Sequence, residues 1–102
     1  MVQIALDKER IVAFCRRWMI TEMALFGSVL RDDFGPDSDV DVLVTFAEGA
    51  RRTLFDLVRM QEELKGVFGR EVDLVERAAM EKSRNYIRRQ DILSSLETIH
   101  AT

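Results

Sequence analysis

One cysteine, one proline and one histidine in 102 residues exclude several classes of protein before any motif is read. Cys15 has no second cysteine to pair with, so a disulfide framework is ruled out, and no Cys/His spacing suits zinc. His100 stands alone near the end of the sequence and is expected to be solvated. No apolar run approaches the roughly 18 residues of a membrane span. The first ten residues already hold Asp7, Lys8 and Glu9, which break up anything like the apolar stretch of a signal peptide. A cationic excess is missing too: 15 Lys and Arg against 18 Asp and Glu leave a net charge of −3. Direct, unaided nucleic-acid binding is therefore disfavoured. The expectation is a cytoplasmic protein with no membrane contact. What is present is 47% apolar residues, enough for one core, and a length that suits a single domain over residues 1–102.

Apolar residues recur at helical spacing in Ile11, Phe14, Cys15 and Trp18, which predicts an amphipathic helix from Asp7 to Trp18. The short apolar run Glu22 to Phe26 stops at Gly27 and reads as a buried strand. Ser28 to Asp33 suits a helical turn, Phe34 to Ser38 concentrates turn formers, and Asp39 to Phe46 is rich in β-branched residues, as strands are. Thr53 is placed to cap a long helix with Leu54, Leu57, Val58, Leu64 and Phe68 on one face. Glu71 to Val75 alternates as a third strand. Ala79 to Arg89 reads as helix and Leu96 to Ala101 as a last extended segment. This order predicts a mixed α+β domain, a small sheet flanked by helices.

The chemistry concentrates between Phe26 and Val44. In a strand, residues two apart share a side, so Asp39 and Asp41 face together while Val40 and Val42 face the other way. Carboxylates held that close repel unless a cation lies between them. Mg²⁺ suits the task, because it takes hard oxygen ligands and shares them with substrate phosphates. Gly27 lets backbone N–H groups approach an anion, and Ser28 adds a hydroxyl. Arg31, one turn on, is a candidate for a charge-assisted phosphate contact. Asp73, mid-strand between Val72 and Leu74, is the best third carboxylate for a two-metal site, where it would also accept the proton of an attacking hydroxyl.

Gly27-Ser28, ten residues, then Asp39-x-Asp41 within an apolar strand resembles the signature of the DNA polymerase beta-like nucleotidyltransferases. With Asp73 in Glu-Val-Asp-Leu-Val, nearly the whole chain is similar to the minimal nucleotidyltransferases, which are often paired with HEPN-domain toxins. The resemblance implies the polymerase beta-like nucleotidyltransferase fold. It also implies Mg²⁺-dependent transfer of AMP from ATP, with two ions, to a hydroxyl such as a tyrosine of the toxin, so that the enzyme acts as an antitoxin. Asp32 and Asp33 depart from the small or basic residues many relatives carry there, and would weaken triphosphate binding if they faced it. So small a chain leaves little for a lid, so a partner protein or a second copy in a homodimer is expected to complete the site. Two rivals stay open: a non-catalytic antitoxin that neutralises its partner by binding, and transfer to RNA ends or to a small molecule such as an aminoglycoside. Arg84, Arg88 and Arg89 are read as a solvated helix face, or as a contact for an acidic partner or a nucleic-acid tail.

Overall fold

A computed structural model describes residues 4–32, 34–35, 37–82, 90, 92–93 and 95–102. Helix α1 runs Lys8–Arg17 and opens where the Asp7 side chain accepts the Arg10 N–H, an N-cap that satisfies an otherwise orphan donor. Strand β1 (Ile20–Phe26) ends at a four-residue 3₁₀ turn, Gly27–Leu30, and β2 follows at Val40–Phe46. Helix α2 (Leu54–Phe68) begins with a capping box between Thr53 and Asp56 and ends at Gly69, whose φ of 70° is the left-handed conformation helices favour as they stop. Strand β3 (Val72–Glu76), the short helix α3 (Arg77–Glu81) and strand β4 (Glu97–Ala101) complete the described elements.

The strands form one sheet in the order β3-β2-β1-β4. β1 is antiparallel to β2 and to β4, while β2 and β3 run parallel with α2 as the crossover. The sheet is therefore mixed, as the sequence predicts. Alternation splits it into two faces. Met23, Leu25, Val40, Val42, Val44 and Val72 meet Ile11, Phe14 and Cys15 of α1 and Met60, Leu64 and Phe68 of α2 in the larger core cluster. The opposite face carries Phe26 and Leu43, packed with Met80 of α3 and Ile92.

Two expectations need correction, and the bounds of a third shift. Leu54 and Val58 do not lie on the core face of α2; they are 79% and 62% exposed, beside Phe55 at 81%. The buried stripe is Met60, Leu64 and Phe68, and Phe55, nine residues before Leu64, falls about half a turn away from it. The helical turn expected over Ser28 to Asp33 is present but starts earlier and is shorter, a 3₁₀ turn at Gly27–Leu30. His100 is only partly exposed; it sits in β4 opposite Met23, and its Nε2 is buried with no hydrogen-bond partner among the described residues. Arg84, Arg88, Arg89 and most of the predicted helix Ala79 to Arg89 lie outside the described residues. No described helix is long and apolar enough to cross a membrane. Cys15 is fully buried, and burial pushes its thiol up to about 11, which keeps it protonated and unreactive.

Candidate active site

The site is built at the end of the sheet where β1 finishes and β2 and β3 begin. Antiparallel pairing sets Phe26 opposite Asp41, and parallel pairing sets Asp41 opposite Asp73. Register partners on neighbouring strands stand about 5 Å apart and point to the same face. Asp41 and Asp73 thus share the face of Leu43, opposite to the Val40–Val42 side. Asp39 lies just before β2 and is exposed, two residues from Asp41.

Gly27 follows Phe26 in this row and has φ of 75°, which L side chains rarely adopt. A Cβ there would run into Asp41 Oδ2. Backbone and carboxylate therefore meet with no room for a side chain between them. Ser28 is half-buried, and its Oγ donates to the backbone O of Asp39 at 3.4 Å. Gly27, Ser28, Asp39 and Asp41 are consequently one connected group. The Arg31 N–H donates to Ser28 O at 2.9 Å, and the residue is exposed, as is Asp32; Asp33 lies outside the described residues. A four-residue 3₁₀ turn carries little of the dipole that a full helix start would supply, so anion attraction here falls to individual N–H groups and hydroxyls.

Among the described residues, no set of three or more His, Cys, Asp or Glu side chains is gathered closely enough to hold a metal by itself. Mg²⁺ is ordinarily bound through one or two carboxylates, with waters and substrate phosphates filling the remaining positions. Asp41, its register neighbour Asp73 and the exposed Asp39 are carboxylates at this end of the sheet that could supply such ligands.

Between Ser28 and Asp39, the residues Phe34, Gly35 and Ser38 are held by contacts that the motif did not reveal. The Gly35 N–H donates to Ser38 Oγ at 3.1 Å, and Gly35 O accepts from the Ser38 N–H at 3.1 Å. Gly35 O also accepts from Arg70 Nη1 at 2.6 Å, and the Arg70 guanidinium lies 4.3 Å from the Phe34 ring centroid. The only sequence signal for Arg70 was its position between the helix-ending Gly69 and β3.

A small mixed sheet with a glycine-serine turn against its carboxylate-bearing end defines the class, a nucleotidyltransferase. The chain belongs to the nucleotidyltransferase domain family, whose model matches residues 8–95. It is 38% identical over 68 residues to a provisionally named protein adenylyltransferase of Methanocaldococcus jannaschii, a match covering 67% of this chain and 71% of that protein. A solved structure described provisionally as a minimal nucleotidyltransferase is 33% identical, with a TM-score of 0.65 over 88% of this chain and 86% of that one. The MNT antitoxin structure from Shewanella oneidensis, in complex with a tri-AMPylated HEPN toxin, gives a TM-score of 0.63 over 93% of this chain and 70% of the other. At 18% identity that likeness is one of fold. The family resemblance read from the sequence therefore holds.

Proposed function

We propose that this nucleotidyltransferase moves AMP from ATP onto a hydroxyl of a HEPN-type toxin partner, a tyrosine, and so acts as its antitoxin. The observation that carries the reading is the close approach of Gly27 to Asp41 in register with Asp73. It puts a backbone suited to phosphate beside paired carboxylates, in a chain of the nucleotidyltransferase family. The M. jannaschii relative is named for adenylyl transfer to protein, and the S. oneidensis toxin bound to an MNT antitoxin carries AMP; both support AMP as the group moved, and the second supports a HEPN-type toxin as its acceptor.

Asp39, Asp41 and Asp73 would hold Mg²⁺, which offsets the triphosphate charge when bound. The N–H groups that follow Gly27 and the Ser28 hydroxyl grip the β- and γ-phosphates, Ser28 exchanging its bond to Asp39 O for a phosphate oxygen. Arg31, exposed beside them, supplies a cationic contact. Asp73 takes the proton of the acceptor hydroxyl. The hydroxyl oxygen then bonds to the α-phosphorus, the bond from that phosphorus to the bridging oxygen breaks, and pyrophosphate departs.

Neutralisation by binding alone is the second reading. The exposed apolar residues Leu54, Phe55 and Val58 favour it, since such patches often mark protein contacts. The test mixes the chain with the toxin, ATP and Mg²⁺ and weighs the toxin intact. Adenylyl increments that vanish with Asp41→Asn are expected. A stable complex with unchanged toxin mass would leave only the binding reading.

A further inference from the structure

We propose that Arg70 is a positioning residue of this site: it ties Phe34 and Gly35, and through Gly35 also Ser38, to the start of β3 and thereby fixes Asp39 and Asp41 against Asp73. The inference rests on the adenylyl-transfer reading above. Arg70 lies in the turn between α2 and β3, three residues before Asp73, whereas its side chain grips the segment leading into Asp39. Its Nη1 donates to Gly35 O at 2.6 Å, a short charge-assisted bond, and its guanidinium stacks 4.3 Å from the Phe34 ring centroid. Phe34 is itself packed against the main core, so the ring is a fixed platform and not a swinging one.

The same carbonyl is shared. Gly35 O receives both Arg70 and the Ser38 N–H, so the clamp and the turn that ends one residue before Asp39 form one unit. One residue past Asp39, the Val40 N–H donates to Glu71 O at 2.9 Å, joining the same two segments by backbone. Asp39 therefore lies between two ties to the segment Arg70–Glu71. Lysine could replace the charge and the bond to Gly35 O, but not the planar stack on Phe34.

The test compares the wild type with Arg70→Met, Arg70→Lys and Asp41→Asn, using the toxin as acceptor and MgATP as donor. Misplacing a catalytic carboxylate by a fraction of an ångström to an ångström costs on the order of ten- to a hundredfold in rate. The methionine variant should lose kcat by about tenfold or more, while its KM for MgATP stays within about threefold. The lysine variant should fall between. Amide exchange at Gly35 and Ser38 should quicken by about tenfold in the methionine variant, with Val42 to Val44 unchanged. A raised KM at unchanged kcat would mean that Arg70 grips the triphosphate itself and would overturn the proposal, as would unaltered exchange at Gly35 and Ser38. Transfer undiminished by Asp41→Asn would instead sink the reading of the site, and the exchange result would still decide the clamp.

Discussion

Replacing Gly27 by alanine probes the junction of backbone and carboxylate. Two costs are separable there. The first is conformational: at φ of 75° an alanine pays about 1–2 kcal/mol for the left-handed region. The second is steric: the new Cβ meets Asp41 Oδ2, and the carboxylate must retreat by about an ångström to regain van der Waals contact. Gly49→Ala isolates the first cost, because Gly49 has φ of 84° but nothing within 4 Å of an added Cβ. Gly49→Ala should lose about 1–2 kcal/mol, a fall of roughly 5–15 °C in Tm for a domain of this size, and Gly27→Ala at least as much. Only Gly27→Ala should also lose activity, by on the order of a hundredfold, the usual consequence of shifting a reacting group by an ångström. Thermal denaturation gives the first quantity and toxin adenylylation at a temperature where both variants are folded gives the second. Equal activity in the two variants would show that the Gly27–Asp41 contact has no part in the chemistry.

Three further outcomes follow from the packing. Leu64→Ala should cost about 2–5 kcal/mol in urea denaturation, since Leu64 is fully buried, whereas Leu54→Ser at 79% exposure should stay within about 0.5 kcal/mol; a large loss at Leu54 would mean that the exposed side of α2 is wrongly assigned. Thr53→Ala breaks a reciprocal cap in which Thr53 Oγ1 accepts from the Asp56 N–H at 3.2 Å and the Thr53 N–H donates to Asp56 Oδ2 at 2.9 Å, and should cost about 1 kcal/mol by the same assay. Cys15 ionises at about 11 when folded against an ordinary value of 9.0. Below pH 9 both states hold the proton; between 9 and 11 only the unfolded state releases it, so stability falls as pH rises, by on the order of 3 kcal/mol. A stability curve that keeps this alkaline decline in Cys15→Ala would trace it to another group.

Much of this architecture is legible in the sequence because its signals are local. Thr53 and Gly69 bracket α2, the β-branched run after Asp39 becomes β2, and even the weakly patterned C-terminal segment forms β4 (Glu97–Ala101). Leu54 and Val58 lie off the core face of α2, although apolar residues near a helix start satisfy the spacing whether or not the sheet reaches them. His100 is partly shielded in the strand that pairs with β1, which nothing within the segment announces. In the site, the spacing of Asp39 and Asp41 is local and readable, but two facts are not. The register that sets Asp73 beside Asp41 depends on where the α2 crossover returns the chain. The Arg70 clamp on Gly35 joins residues 35 apart in sequence, and no local pattern signals a contact of that kind.

In the proposed function Asp41 and Asp73 act together on a cation that the nucleotide shares. Titration of Mn²⁺ with ATP present, followed by electron paramagnetic resonance, measures that directly. Uptake should weaken by about tenfold or more in both Asp41→Asn and Asp73→Asn. Wild-type uptake in the Asp73 variant would contradict it.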